Sequence, residues 1–459
     1  METGTGNGGD RSDDSIADGA AKSGNSAGEA AVKYADIRLG EDHTELAAEL
    51  KLLTNRTDMQ GADYKGKNWD AYLQEFNEMY PGIKITVDGM TDYAQDSLLR
   101  LQGGDWGDIM MIPEVDKSEL SNYFISYGDV ESVSKEVRYP NRWLYGGQVY
   151  GIPITVVGRG VVYNKSVFAA AGVTKTPRTT EEFMEALRVV KEKTKVTAAL
   201  YTNYADGWPM GAWDDYINVT ATGDAAYRNQ EFAHTKDPFS DPGDGTHAYN
   251  IYKVLYDAVA EGLTEDDFST TAWEGSKSML NSGEIGCMVL GAWAYPQMKL
   301  AGDKGADIGY MPFPMSIGGK QYSPADEDYC FGINGKIDSE KQTAAMIFVK
   351  WMTEKSGYSY NEGGLPIAVA DEKYPEVYQE FLDNNVEFIA NEPAKSGEED
   401  LLNGLNADSE LMVGAGGNDK IQQIVEHASK KDKTFDQLME EWNKKWSEAQ
   451  SANSVEVSD

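Results

Sequence analysis

Residues 284–297 read Glu-Ile-Gly-Cys-Met-Val-Leu-Gly-Ala-Trp-Ala-Tyr-Pro-Gln. The first half is a short apolar run with a small or β-branched residue at most steps, a pattern that suits a strand buried on both faces. Gly291 then lets the chain turn, and Trp293 follows. In an α/β protein ligands bind at the carboxyl ends of parallel strands, so a ring placed there is a candidate ligand platform. A tryptophan face carries negative charge density and suits the apolar C–H face of a sugar. The competing reading is that Trp293 closes the core, where tryptophan is usually mostly buried.

The wider aromatic inventory bears on that choice. The chain has 10 Trp and 26 Tyr, and Trp208, Trp213, Trp273 and Trp293 fall where no helical core periodicity accounts for them. Rings in loops beside Asn, Asp, Glu and Arg are what a carbohydrate cleft requires. The rings cover apolar sugar faces while planar polar groups pair with vicinal hydroxyls. Packing of long loops accounts for part of the same inventory.

Bond-making chemistry finds little support. The four histidines, His43, His234, His247 and His427, show neither metalloprotease spacing nor that of a nucleophile and its base. No G-x-S-x-G elbow occurs. The run Gly414-Ala415-Gly416-Gly417-Asn418 is not followed by Lys-Ser/Thr and reads as a loop rather than a phosphate cradle. Carboxylates are too abundant for a glycosidase pair to be picked out without distances. The segment from Asp237 to Asp244 is acidic but lacks the spaced ligands and closing Glu of a calcium loop, so it reads as a solvated surface loop. No catalytic residue, metal ligand or cofactor is expected.

The elements that must position the rings follow from periodicity. Residues 50–54 read as a first strand with Asn55, Arg56 and Asp58 at its end. Trp69, Tyr72, Leu73, Phe76, Met79 and Tyr80 share one helical face, stopped by Pro81-Gly82. Ile83, Ile85 and Val87 alternate as a strand, a short helix covers residues 97–101, and residues 108–113 form a buried strand. Strand, helix, strand, helix, strand is a doubly wound unit. Further on, residues 160–165 read as a strand, and Thr179 with Glu182 as a capping box for a helix facing inward through Phe183, Met184, Leu187 and Val190. Residues 200–235 are loop-like and aromatic, and a helix is expected near residues 249–260. Strands are expected at 307–312 and 329–334. The last helix, opened by Thr434 and Gln437, carries a core stripe of Phe435, Leu438, Met439, Trp442 and Trp446.

At 459 residues the chain should divide into two lobes. Its 41 basic and 76 acidic residues leave a net charge of −35, which argues against nucleic acid and anionic membrane as partners. Cys287 and Cys330 both sit in apolar segments and read as buried free thiols rather than a bridge. Residues 1–33, rich in Gly, Ser, Ala and Asp, read as a disordered tether. Such a tether fits an exported, surface-anchored protein.

Five segments, in order, resemble the extracellular solute-binding proteins of carbohydrate ABC importers, the family 1 group that includes maltose-binding protein. They are residues 52–58; residues 77–85 with Thr91-Asp92-Tyr93 and Gly107-Asp108-Ile109-Met110; residues 147–153 leading into Val162-Tyr163-Asn164-Lys165; residues 281–294; and Glu362-Gly363-Gly364-Leu365-Pro366. The resemblance covers roughly residues 46–445. It implies an α/β, two-lobe periplasmic-binding-protein-like fold with the ligand cleft between lobes joined by hinge segments. By analogy lobe one is 35–155 with 311–356, lobe two is 156–310 with 357–459, and the crossings fall near 153–157, 309–312 and 356–360.

The resemblance further implies no enzyme activity. Its function is the binding of a sugar, an oligosaccharide given the number of rings, by lobe closure outside the cell, and delivery to a permease, with the receptor a monomer. It makes Trp293 a stacking ring, places Trp208 near the ligand, has Asn55, Arg56 and Asp58 supply hydrogen bonds, and sets Tyr93, Asp108, Glu362 and Gly364 at the cleft edge. Trp213 and Trp273 are added from the residues themselves. The native protein is expected to be a lipoprotein on the surface of a Gram-positive cell. The lipidated N-terminal Cys of the family is missing, and residues 231–247 look like an insertion. The alternatives are a glycoside hydrolase, which would release reducing ends; an adhesin, which would bind polymer without closure; and a receptor for a polyamine, peptide or iron.

Overall fold

The computed structural model describes residues 32–458, so nearly all of the expected tether lies outside the described residues. Two sheets organise the chain. The first contains β1 (Ala48–Thr54), β2 (Ile83–Gly89), β3 (Ile109–Met111), β4 (Ile152–Pro153) and, much later, β11 (Cys330–Ile333). Its spatial order is β2-β1-β3-β11-β4: the first three strands run parallel, and β11 is antiparallel to both its neighbours. The second contains β6 (Arg159–Asn164), β7 (Ala198–Leu200), β8 (Ile285–Gly291) and β9 (Ile308–Pro312), in the order β7-β8-β6-β9. Strand β8 is buried at all seven positions, as its apolar run predicts, and pairs parallel with β7 but antiparallel with β6.

Helices cover both sheets, α4 (His247–Ala260) and α7 (Ser339–Glu354) among them. Helix α1 (Trp69–Met79) is capped by Asn68, whose side chain accepts from the Ala71 N–H, and buries Trp69, Tyr72 and Phe76. Helix α2 (Tyr93–Gly103) starts earlier than expected and ends on Gly104 in the left-handed conformation. At α3 (Thr180–Lys193) the box is displaced by one residue: Thr179 accepts from Glu182 N–H, while the Glu182 carboxylate accepts from Arg178 N–H instead of Thr179. The last helix, α10 (Phe435–Ala452), has the full box at Thr434 and Gln437 and buries its aromatic stripe in the core of the second lobe. Truncating a buried ring such as Trp446 should cost about 3–5 kcal/mol.

The chain crosses between sheets three times. Val156–Val157 (β5) pairs antiparallel with Asp326–Glu327 (β10), making a two-stranded hinge. The expected crossing at 309–312 is instead β9, which pairs with β6 inside the second sheet; an apolar strand does not itself reveal which sheet it joins. The third crossing follows Ser356. Tyr358 stacks on Trp69 of α1 (5.6 Å between centroids), while Gly363 turns beneath the second lobe. At φ +76° a Cβ on Gly363 would lie 2.8 Å from the Ala292 carbonyl oxygen, so both conformation and space demand glycine.

The lobes also touch directly. Asp400, at the start of α8 (Leu401–Ser409) in the second lobe, accepts hydrogen bonds from Lys117 N–H (2.6 Å), Ser118 N–H (3.3 Å) and Ser118 Oγ (2.7 Å) in the first. Asn403 donates to Asp116 beside them (3.2 Å). Cys287 and Cys330 are buried and unbridged, one in each sheet. No helix among the described residues is long and apolar enough to cross a membrane.

Candidate functional site

Three of the four singled-out tryptophans meet. Trp208 opens a 3-10 helix (Trp208–Tyr216), Trp273 opens α5 (Trp273–Ser282), and Trp293 joins the end of β8 to α6 (Ala294–Leu300). Their centroids are 5.1 Å (208 to 273), 5.6 Å (208 to 293) and 5.5 Å (273 to 293) apart. Trp208 is 43 % exposed, and neither partner is fully buried. Two of the three contacts are edge-on and the rings stay partly exposed, so the cluster offers aromatic surface on which a ligand could stack. Trp213 is different: it is 3 % exposed, edge-on to Phe313 within the second core, because the helical turns after Trp208 rotate it inward.

The platform faces a polar cluster built at the carboxyl end of β1. Arg56 forks onto Asp58 (2.9 and 3.0 Å) and reaches Glu362 (2.6 Å) and the Tyr64 hydroxyl (3.0 Å). Tyr64 in turn donates to Glu362 (3.4 Å). Burial alone would raise the Asp58 carboxyl, but Arg56 outweighs it and holds Asp58 below the usual range, with Lys277 across the cleft assisting. Lys277 itself lies over the Trp273 ring at 4.9 Å and pairs with Glu274. Burial, then Glu362, push the Tyr64 phenol up to about 12. The Asn55 side chain is half-buried at the same strand end and makes no hydrogen bond among the described residues.

A second cluster forms the floor. Arg159, at the start of β6, bridges Asp215 (2.8 Å) and Asp326 (3.1 Å), the latter in the hinge strand β10. A Cβ on Gly291 would lie 2.7 Å from the Arg159 guanidinium and 2.5 Å from Trp293 Nε1, so this glycine lets the guanidinium and the ring edge converge. Burial pushes the Asp215 carboxyl up to about 6 against the pull of Arg159. Glu327, buried beside Asp326, is raised to about 7 by desolvation and then by that neighbouring charge.

Other expected edge residues are occupied with the scaffold. Tyr93 is buried; its hydroxyl accepts from Met111 N–H (2.9 Å) and donates to the Met111 carbonyl (2.8 Å), tying α2 to β3. Asp108 lies at the opposite, amino-terminal end of β3, where it accepts from Lys51 N–H (2.7 Å) and pairs with Lys341 (3.3 Å). Gly364 is backbone of the third crossing: its N–H donates to Ser359 O (2.6 Å), and a Cβ would lie 2.1 Å from Ser359 Oγ.

Tyr64, Arg159, Asp215, Asp326 and Lys277 escaped the sequence reading. Arg159 alone carried a local signal, a cation in the otherwise apolar run Val156-Val157-Gly158-Arg159-Gly160-Val161-Val162. Asp326-Glu327-Asp328 reads from sequence as a solvated charge run. The 237–244 loop spends its carboxylates on its own turns: Asp241 accepts from Gly243 N–H and Asp244 from Thr246 N–H. No group of three or more metal-ligating side chains gathers among the described residues.

Two α/β lobes joined by three crossings, with rings on one wall and paired charges on the other, define a solute-binding protein of the hinge-bending class. The chain belongs to the family of bacterial extracellular solute-binding proteins, which it matches over residues 62–359. It is 26 % identical over 310 residues to a multiple sugar-binding protein of Streptococcus mutans, covering 65 % of this chain and 71 % of that one. Among solved structures it resembles a manno-oligosaccharide-specific solute-binding protein of Bifidobacterium animalis subsp. lactis in complex with mannotriose. That match has 52 % identity and a TM-score of 0.89, and covers 93 % of this chain and all of that one. A second binding protein of an ABC transporter from the same organism, in complex with mannobiose, matches at 51 % identity and a TM-score of 0.90 with the same coverage. The family and these neighbours are binding proteins rather than enzymes.

Proposed function

We propose that this protein is the extracellular receptor of a carbohydrate ABC importer, and that it binds a manno-oligosaccharide by closing two lobes and delivers it to the permease. The observation that carries this reading is the convergence of Trp208, Trp273 and Trp293 on one wall, facing the Arg56 cluster and adjoining the Arg159 floor. Asp58 and Glu362 are paired with Arg56, and Asp215 and Asp326 with Arg159. Each of these carboxylates is already held in place by an arginine, so a neutral, hydroxyl-rich ligand can use the planar groups as fixed donors and acceptors. The mannotriose and mannobiose complexes of the bifidobacterial neighbours support the sugar class.

In this reading Asn55, Arg56, Asp58, Tyr64, Arg159, Asp215 and Glu362 address hydroxyls, and the three rings stack sugar units. Trp213, Tyr93 and Asp108 hold the scaffold, and Gly364 shapes the crossing. The lobes move as bodies built on the two sheets, with crossings at 154–158, 324–328 and 356–365. The receptor acts as a monomer, presenting both closed lobes to the permease. It sits on the surface of a Gram-positive cell as a lipoprotein, a placement supported by the Gly- and Ser-rich segment before the fold and by the bifidobacterial neighbours.

Thermal melting against mannobiose to mannohexaose, with maltotriose and spermidine as controls, tests the proposal. A ligand bound only by the folded state adds about 2.7 kcal/mol at 100 times its Kd. A midpoint rise confined to the manno-series is the expected result. A rise with spermidine alone would overturn the sugar reading, and release of reducing ends over time would return the hydrolase.

A further inference from the structure

The Gly-rich run at 414–418, which is no phosphate cradle, lies against the aromatic platform. With its amide turned as its neighbours require, Asn418 accepts from Trp208 N–H (3.1 Å) and donates to the Gly207 (3.1 Å) and Gly416 (3.2 Å) carbonyls. Close approach depends on glycine at both contacts: a Cβ on Gly207 would lie 3.2 Å from the Asn418 amide, and one on Gly211 would lie 3.1 Å from the Gly416 carbonyl oxygen.

Asn418 begins α9 (Asn418–Lys430), and the pattern continues along that helix. Gln422 donates to the Tyr204 carbonyl (2.8 Å), and Glu426 accepts from the Tyr204 hydroxyl (2.6 Å). Positions 418, 422 and 426 are four apart and share one helical face. Ile421, Ile424, Val425 and Ala428 bury another in the second core. The short segment 204–208 that this polar stripe holds carries Asp206, whose carboxylate accepts from Trp273 N–H, and Trp208 itself.

The far end of the Trp208 helix is fixed from the same place. Asp214, fully buried, accepts from Gly414 N–H (3.2 Å), from Lys420 Nζ (2.6 Å) and from the Tyr252 hydroxyl (2.6 Å). A nine-residue 3-10 helix is long for its kind, since its hydrogen bonds are poorly aligned, so it needs outside support. The loop supplies support at both ends.

We infer that the 414–418 loop and the Asn418, Gln422, Glu426 stripe are the mount of the sugar platform, with Asn418 a positioning residue that sets the Trp208 ring. The inference rests on the proposed binding site, and the test separates the two.

Mannotriose affinity is measured by calorimetry for the wild type, Trp208→Ala, Asn418→Ala and the double variant, each checked for an intact melting transition. Trp208→Ala should weaken binding. Asn418→Ala should weaken it roughly tenfold in the wild-type background, the size of one or two lost hydrogen bonds. In the Trp208→Ala background it should add less than about twofold, because a residue acting through a missing ring has nothing left to position. Equal losses in both backgrounds, or no loss from Asn418→Ala when Trp208→Ala is weakened, would overturn the inference. Unchanged affinity in Trp208→Ala would overturn the site reading itself. Gln422→Ala, which leaves the glycine loop intact, repeats the cycle through Tyr204 if Asn418→Ala does not fold.

Discussion

The two walls of the cleft are built on different principles. The aromatic wall belongs to one lobe, and its three rings are delivered by backbone: a strand end, a helix start and a 3-10 start, with Asn418 bracing Trp208 and Asp206 bracing Trp273. The polar wall and the floor are assembled from segments far apart in the chain. Arg56 meets Glu362 across 306 positions, and Arg159 meets Asp326 across 167. Removing a ring from the first wall should leave its scaffold standing. Removing a charge from the second leaves other charges buried without partners, which is costly in a low-dielectric setting. The aromatic wall can therefore be tuned for ligand at little risk to the fold, whereas the polar wall couples ligand binding to stability.

The largest effect that contrast predicts is at Arg159. Arg159→Met keeps much of the volume but removes the ion pair of Asp215 and leaves Asp326 only its longer pair with Arg228 (3.7 Å). It should lower unfolding stability by about 3–5 kcal/mol in chemical denaturation, ligand absent. A change below ~1 kcal/mol would place the floor with ordinary surface ion pairs.

Next is Glu327, in the hinge strand. Burial, and then the Asp326 charge, raise its carboxyl from 4.5 to about 7, so the folded state holds the proton more tightly. Stability from this group is full below about pH 4.5 and is lost as pH rises through 7, by up to ~3 kcal/mol. Glu327→Gln should remove that fall. Parallel melts of the two proteins from pH 4.5 to 8 would show the wild-type curve declining relative to the variant; parallel curves would assign the pH dependence elsewhere.

On the aromatic wall, Trp293→Ala should weaken mannotriose binding at least tenfold, about 1.4 kcal/mol, while the unliganded midpoint moves little. Trp213→Ala is the internal control: a core ring whose loss should lower the midpoint through a cavity, with the cleft untouched. Exchange of those two outcomes would invert the assignment of the rings.

How much of this was legible follows the same division. Strand β8 and the turn into Trp293 could be read because burial on both faces leaves an uninterrupted apolar run. The α1 and α10 faces could be read because helical period shows in the residue types. Trp208, Trp273 and Trp293 stood out as rings without a core face, but Trp213 looked the same. Only the rotation of the 3-10 helix separates it from Trp208. The Arg159 floor was illegible apart from its odd cation, since partners more than fifty residues away leave no local period. Asp108 misled for a related reason: it sits beside a sheet strand as expected, but at the end facing away from the cleft.

The smallest predicted effect concerns neither wall but the contact that holds them in register. Asp400 in the second lobe accepts three hydrogen bonds from Lys117 and Ser118 in the first. A contact that spans lobes exists only while they are together, so its free energy counts toward the closed state alone. By linkage it adds to apparent affinity for any ligand that requires closure, and adds nothing to the stability of either lobe. Asp400→Ala should therefore weaken mannotriose binding by about fivefold, roughly 1 kcal/mol for hydrogen bonds at a partly exposed surface. The unliganded protein should scatter with a slightly larger radius of gyration, and its midpoint should hold. Because the carboxylate touches no sugar-facing residue, the loss should be the same for mannobiose and mannohexaose. A loss that grew with chain length would mean that Asp400 lies within reach of the ligand, extending the polar wall beyond the Arg56 and Arg159 clusters.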